Sequence, residues 1–474
     1  MHSVAAARAG SGVWDRAHRR LTTGLLLTIS ITAFEALAVA TVLPSVATDL
    51  GGADLGWYGW VFSGFMLANL VGIPAAGRLA DRGGTARPFV VGALFFAAGL
   101  LVAGLAPSMP VVVAGRIAQG FGAGALSSVV YVAIARGYEA SDQPRMLALI
   151  ASAWVVPGLV GPGVAAALAS WLGWRSVFLV LVPMTGFAAA LAIGGVRDLG
   201  PAEEGRAEPM SMRAALVLAA GAALAQLGAE SHRADLTLAC LVVGLAIALP
   251  ALRRLFPAGT LVAAPGAPAA LAAKGLVTFA FFGAEAFLPL SLTVVRGESV
   301  AMAGLALTAG TLSWTTGAWI QERVVTPSRR VLLVRIGLAM VAVAVAGAAF
   351  VLVADAPVPV AVASWIAAGL GIGVSYSTTT LIVFERTPKG GEGLAASALQ
   401  LANVLGVAFG TGAGGALLAV ATAAGRPEAA AIATIDAVMF AAALLGLAAA
   451  GRCGEPDGDH AGHVGRAGRR EATA

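Results

Sequence analysis

The sequence predicts an all-α polytopic membrane protein, with two six-helix halves and two additional central helices, fourteen transmembrane helices in all. Three observations carry that reading. Of 474 residues, 58% are apolar and only 12% are charged, against about 25% charged in a soluble domain. So little charge cannot cover a globule of this size. Apolar runs close to the roughly 20 residues that a bilayer core requires recur along the whole chain. Lysine and arginine fall almost entirely in alternate loops, the asymmetry that orients membrane proteins.

The first half holds runs at 21–43, 57–77, 88–106, 110–135, 146–170 and 175–195. A polar stretch rich in Glu and Pro follows at 196–210, then two shorter runs at 212–229 and 235–252, joined by the short polar loop from Glu230 to Asp235. Arg253, Arg254, Pro257 and Pro265 mark a second link, and six more runs follow at 268–295, 300–320, 331–353, 358–382, 393–420 and 428–450. The chain thus divides into a tail (1–20), a six-helix half (21–195), a linker with two extra helices (196–267), a second half (268–450) and a tail (451–474) whose Gly, Asp and Arg content reads as disordered. The first run is too long for a signal peptide. The two middle runs either cross or dip into the bilayer, and their lengths favour crossing. Being an even number, they leave the orientation of the others unchanged.

Of the 30 lysines and arginines, 24 fall on one side of this arrangement. Arg175, Arg233, Arg296 and Arg426 fall on the other, and only Arg116 and Lys274 lie within spans. Both termini are therefore expected in the cytoplasm, with the chain in the plasma membrane. The net charge of +5 is then a topological feature and not a sign of nucleic-acid binding. Cys240 and Cys453 have no spacing that suggests a bridge or a metal site. The five histidines lie in tails or one short loop. No P-loop is present, and Gly410 to Gly415 matches G-x-G-x-x-G without a preceding strand, so those glycines read as helix packing. Neither an enzyme nor a metal or cofactor is expected.

The two six-run blocks look like copies, with Phe34-Glu35-Ala36 in the first answered by Ala284-Glu285-Ala286 in the second. Parallel halves of this kind are a transporter architecture, with substrate bound between them near the midplane. Gly77-Arg78-Leu79-Ala80-Asp81-Arg82-Gly83-Gly84 resembles the loop signature of the major facilitator superfamily. Arg116-Ile117-Ala118-Gln119-Gly120-Phe121-Gly122 resembles the fourth-helix signature of its drug:proton antiporters, and Gly161-Pro162 the core of the antiporter motif. With the six-two-six layout, the chain is similar to the fourteen-helix antiporter branch. The pattern departs at Thr85-Ala86, where a basic pair is usual and Arg87 comes one step late, and at Pro157, Ala165 and Ala166 in the fifth span. The resemblance implies the major facilitator fold, a monomer, and efflux of small lipophilic or cationic molecules driven by protons without a cofactor. It also implies a conformational role for Gly77, Asp81, Arg82, Gly84 and Arg87, and for Pro157, Gly158, Gly161 and Pro162 in the fifth helix.

Ionisable residues deep in a span each cost on the order of 2.5–3.5 kcal/mol or more, so they mark function. Glu35 lies about 21 Å into a span entering from the cytoplasm, and Arg116 roughly 9 Å into one entering from outside, at 1.5 Å per residue. In a core about 30 Å thick these depths coincide. Thr28, Thr32 and Glu35 share one helical face, and Arg116, Gln119 and Ser127 another. Lys274, Thr278 and Glu285 form a similar stripe in the second half, with Tyr376, Gln400 and Asn403 as further cavity candidates. Glu35, Arg116 and Glu285 are the expected proton-coupling residues, and Asp436 a further candidate. For the hydroxyls and amides, plain interhelical hydrogen bonding remains an open alternative.

The functional expectation is a proton-coupled exporter working by alternating access. A symporter, a lipid exporter on the same fold, or a non-transporting receptor or assembly protein remain alternatives. The charge asymmetry yields the first prediction. A cysteine placed beyond Gly451 should resist a membrane-impermeant thiol reagent in intact cells, and labelling from outside would overturn the orientation.

Overall fold

The computed structural model describes residues 12–16, 18–50, 55–201, 210–229, 234–353 and 355–454. The rest of both tails, residues 17, 51–54 and 354, the whole of 202–209 and the 230–233 loop lie outside the described residues.

Among the described residues the chain is a bundle of fourteen helical rods. The first half comprises α1 (Arg19–Asp49), α2 (Leu55–Gly83), α3 (Ala86–Gly104), α4 (Met109–Gly137), a fifth rod made of α5 (Gln143–Ser152) and α6 (Val155–Leu172), and a sixth made of α7 (Arg175–Leu179) and α8 (Leu181–Asp198). The hairpin α9 (Met212–Ala229) and α10 (Ala234–Leu255) follows. The second half holds α11 (Ala267–Glu285), which continues through α12 (Leu288–Leu290) and a π-turn at Ser291–Val295, then α13 (Val300–Val324), α14 (Arg330–Phe350), α15 (Pro359–Arg386), α16 (Glu392–Ala423) and α17 (Glu428–Arg452).

Twelve rods are long and apolar enough to cross a membrane, two fewer than the fourteen expected. The apolar part of α9, Met212–Gly228, is short, and α13 carries Thr308, Thr311, Ser313, Thr315, Thr316, Gln321, Glu322 and Arg323. Composition therefore separates α13 from the other rods of its half, although it is 25 residues long. Several rods outrun their apolar runs. The expected loop at Arg78 to Arg82 is the last turn and a half of α2, and only Gly84 and Thr85 make the turn.

The fifth rod breaks for a definite reason. Proline has no N–H, so Pro157 cannot bond the carbonyl of Ala153, four residues back. That carbonyl instead accepts a hydrogen bond from Ser30 Oγ of α1 at 3.0 Å.

Both halves pack in one pattern. In the first, α4 is wedged between α2 and α3 while α1 runs against α6 and α8; in the second, α15 is wedged between α13 and α14 while α11 runs against α16 and α17. With few large side chains at these crossings, backbones approach closely, as small residues allow in lipid. A Cβ on Gly99 of α3 would lie 2.6 Å from the Gln119 nitrogen and the Gly115 carbonyl of α4. Two seams join the halves: α2 and α4 against α16, and the fifth rod against α13 and α15. The α9–α10 hairpin closes on itself through Gly221 and Gly244 and packs on α2, outside both seams.

The close α3–α4 crossing sets where Arg116 and Gln119 sit. Gly99→Val should lower stability by about 1–3 kcal/mol, the usual cost of overpacking. Thermal unfolding in detergent should show a clear fall in Tm, and an unchanged Tm would mean that this crossing yields.

Candidate functional site

The coincidence of depth between Glu35 and Arg116 becomes a direct contact. Glu35, midway along α1, is fully buried, and Arg116 of α4 is 2% exposed. Arg116 Nη1 donates to Glu35 Oε1 and also to Gln119 Oε1, one turn further along α4. Its Nε donates to the Val61 carbonyl of α2 at 3.1 Å, and its guanidinium lies 4.3 Å from the centre of the Phe65 ring. Three helices thus fix one cation. Removing one partner of such a buried pair typically costs about 3–5 kcal/mol, because the other charge is left unmatched. Glu35 Oε2 and Gln119 Nε2 have no hydrogen-bond partner among the described residues. The pair therefore retains one acceptor and one donor able to meet a proton or a polar substrate group.

The threonine stripe behaves differently. Thr28 Oγ1 donates to the Gly24 carbonyl at 2.8 Å and Thr32 Oγ1 to Ile29 at 2.9 Å, both on α1 itself. With Phe96, Leu126 and Thr185 they line a small cavity within the first half, among α1, α3, α4 and α8, not the space between halves. Ser127 likewise bonds its own helix, to Gly124 at 3.0 Å. Its neighbour Ser128 is the residue that meets the other half, 3.3 Å from Ser397 of α16. The face that looked like Arg116's is thus one residue out of phase at this turn.

The stripe expected on α11 divides among three environments. Lys274 is fully buried and donates from Nζ to Thr380 Oγ1 at 2.9 Å and to the Tyr376 carbonyl at 3.3 Å. Thr278 is also fully buried; it bonds the Gly275 carbonyl at 3.0 Å and packs on Gly406 of α16, so it lines a helix contact and not a cavity. Glu285 is half-buried and accepts a bond from Trp365 Nε1 at 3.4 Å. Gln400 is buried with Oε1 unpartnered among the described residues, Asn403 is half-buried, and Asp436 is buried in α17. Tyr376 reaches across the molecule, its hydroxyl 3.4 Å from that of Tyr131 in α4. Tyr131 sits in an apolar run and gave no sequence signal.

At the arginine-rich end the loop motif closes the first seam. Asp81 Oδ1 accepts from the Gly393 nitrogen at 2.8 Å and Oδ2 from the Leu394 nitrogen at 3.1 Å. These are unpaired donors in the first turn of α16, where the helix dipole favours an anion. Arg136 of α4 completes the cluster: Nη2 lies 2.6 Å from Asp81 Oδ1 and 3.0 Å from Glu392 Oε2. An aspartate at the end of a helix, like Asp81, can meet a helix N-terminus or an arginine of the other half. The structure pairs it with the N-terminus of the other half and with an arginine of its own. Gly77 lies directly against Gly393, where a Cβ would meet backbone. Arg82 and Arg87 are exposed. Gly84 takes φ +81, which suits glycine, and Thr85 Oγ1 donates to the Val196 carbonyl at 2.6 Å and to Leu199 at 3.0 Å, tying the turn to the end of α8. A hydroxyl thus does local work where the family pattern has a basic residue.

The second seam lies at the break of the fifth rod. Trp319 Nε1 of α13 donates to Ser152 Oγ at 2.9 Å. Past the break, Pro157 and Gly161 are buried, whereas Gly158 and Pro162 are exposed. Gly158 faces Thr311 of α13 and Gly161 faces Phe34 and Leu37 of α1, at 3.6 to 3.9 Å from where a Cβ would stand. Next to Glu35, the fifth-helix motif therefore borders both α1 and the other half.

Two matched six-helix halves, an ion pair buried in the first and hydrogen-bonded seams between them make up the architecture of membrane proteins built from two parallel six-helix repeats. The chain belongs to the Major Facilitator Superfamily, whose family model matches residues 25–411. It is 35% identical over 183 residues to a multidrug resistance protein B homolog of Mycobacterium tuberculosis, covering 36% of this chain and 33% of that one. It is 30% identical over 161 residues to multidrug resistance protein 3 of Bacillus subtilis, covering 34% of this chain and 31% of that one. A probable multidrug-efflux transporter of M. tuberculosis matches at 29% over 220 residues, 45% of this chain and 46% of the other. The matches thus span under half the length of these relatives. Among solved structures, the human organic anion transporter TETRAN superposes with TM-score 0.68 at 15% identity over 91% of this chain and 99% of that one. A proton:xylose symporter gives TM-score 0.60 at 15% identity over 90% and 94%.

The Asp81 cluster yields a prediction about the seam. Asp81→Asn removes the charge and turns one of the two acceptors at the first turn of α16 into an amide donor, and leaves Arg136 with Glu392 as its carboxylate partner. A cysteine at Ser397 should then react with a thiol reagent several-fold faster, and turnover should slow. Unchanged reactivity would show that α2 and α16 are held together by packing alone.

Proposed function

We propose that this chain is a proton-coupled antiporter that exports small lipophilic or cationic molecules across the plasma membrane. The observation that supports this best is the buried Glu35–Arg116–Gln119 group, which leaves Glu35 Oε2 and Gln119 Nε2 unpartnered. A proton arriving on Glu35 neutralises the carboxylate and releases Arg116 from it. A substrate that engages Glu35 or Gln119 competes with that proton, so inward proton flow drives outward substrate flow. Relatives named for multidrug resistance and for multidrug efflux support export of small drug-like molecules.

On this reading all fourteen rods cross, α9 and α13 included, both termini are cytoplasmic, and the protein works as a monomer without cofactor. The Asp81 cluster then closes the cytoplasmic end. Glu285 is a secondary proton site, with the half-buried carboxylate held only by a long bond from Trp365.

The test is proton release from purified protein in weakly buffered detergent on adding tetraphenylphosphonium. Wild type should release protons. Glu35→Gln, which keeps the shape of the protonated carboxyl, should release none and should abolish efflux driven by a pH gradient in liposomes. Glu285→Gln should reduce release only in part. Full release from Glu35→Gln would move the carrier to Glu285 and then Asp436.

A further inference from the structure

Lys274 takes no part in the scheme above, yet its surroundings are unusual. It is fully buried, and among the described residues no carboxylate lies within 4.0 Å of it. Glu35 is matched by Arg116; Lys274 has only neutral partners. Its Nζ is bonded to Thr380 Oγ1 and lies 3.1 Å from the centre of the Tyr376 ring. A desolvated cation over an aromatic face gains about 2 kcal/mol, less than the several kcal/mol that burying an ion costs. An anion is what this site lacks.

The surroundings also say what kind of anion. Phe281, Phe282, Trp314 and Tyr376 form a continuous aromatic wall beside Lys274, with neighbouring ring centres 5.2 to 5.8 Å apart. Phe282, Trp314 and Tyr376 are only half-buried. Thr380 Oγ1 accepts from the ammonium and donates to the Tyr376 carbonyl at 3.0 Å, which fixes Nζ in place, and the Tyr376 hydroxyl, which accepts from Tyr131, keeps its own hydrogen as a donor. The Tyr376 ring covers Nζ while its hydroxyl meets Tyr131 of the other half, so a parting of the halves would remove the contact that holds this ring over the ammonium.

We propose that Lys274, with Thr380 and Tyr376, binds the anionic group of an aromatic organic acid, whose rings lie on the wall formed by Phe282 and Trp314. The inference rests on the transport reading, because the site opens only if the halves rock. It extends that reading to a substrate class of opposite charge.

Two dyes of one ring system and opposite charge test it: fluorescein, an anion, and rhodamine 6G, a cation. Binding is measured by fluorescence anisotropy on purified protein in detergent, and flux in liposomes with an imposed pH gradient. Lys274→Gln should weaken fluorescein binding by about tenfold or more, the scale of one charge-assisted hydrogen bond, and leave rhodamine 6G binding unchanged. Lys274→Arg should restore most of the fluorescein affinity, which a purely structural lysine would not do for one dye alone. Fluorescein that fails to bind wild type, or binds Lys274→Gln equally well, overturns the proposal. So does an equal loss of both dyes. If rhodamine 6G is pumped while fluorescein binding ignores Lys274, this inference fails and the transport reading stands. If fluorescein binding depends on Lys274 but neither dye moves, the site stands and the transport reading fails.

Discussion

The interior of this bundle is lined almost entirely by apolar side chains, so a charge placed there is answered by another group of the protein or left at a large cost. The contact between Glu35 and Arg116 answers two charges at once, and much of the first half is arranged to make it possible. Arg116 lies on α4, the helix wedged between α2 and α3. Its guanidinium is gripped by α1 through Glu35 and by α2 through the Val61 carbonyl and the Phe65 ring. Glycine-lined crossings bring these backbones near enough for a single side chain to reach three helices. The pair therefore depends on close packing, and it concentrates polar chemistry in one place of an otherwise apolar half.

The halves are joined differently from the way each is built. Inside a half, most contacts are apolar and backbone-close; across the seams a close approach at Gly77 and Gly393 is joined by a few hydrogen bonds. Ser128 meets Ser397, Tyr131 meets Tyr376, Trp319 meets Ser152, and Asp81 meets the first turn of α16. Neutral hydrogen bonds contribute about 0.5–1.5 kcal/mol each net, so such seams part without dismantling either half. The Asp81–Arg136–Glu392 cluster is the strongest of them, being charged and seated on a helix dipole. Rigid halves with separable seams are what rocking about a central site requires.

The two halves share a packing pattern but not an electrostatic one. The first buries a matched pair, whereas the second places Lys274 among hydroxyls and an aromatic face, and Glu285 far along the same helix beside Trp365. The helix order is common to both halves, and the buried charges are what distinguish them.

The sequence by itself determined an all-helical membrane bundle and the order of its rods, because a run of apolar residues has one stable form in lipid; the expected count of fourteen spans met twelve rods long and apolar enough to cross. It also marked Glu35 and Arg116, since a charge deep in an apolar run is too costly to be incidental. Glu285 and Lys274 were legible in the same way, though not where they point. What composition could not settle was which apolar rods lie against protein: α13 is polar enough to fail as a span, yet it packs along α15 and the fifth rod. The seam residues were out of reach for a further reason. Tyr131, Ser128, Arg136 and Glu392 are unremarkable in a linear reading, and their partners lie 55 to 269 positions away. Helical phase also drifts over several turns, so Thr278 and Ser127 shared a face with the charges on paper but turned to glycine and to backbone in three dimensions. A periodicity of 3.6 places a residue on a face; only the packing of neighbouring helices decides what that face touches.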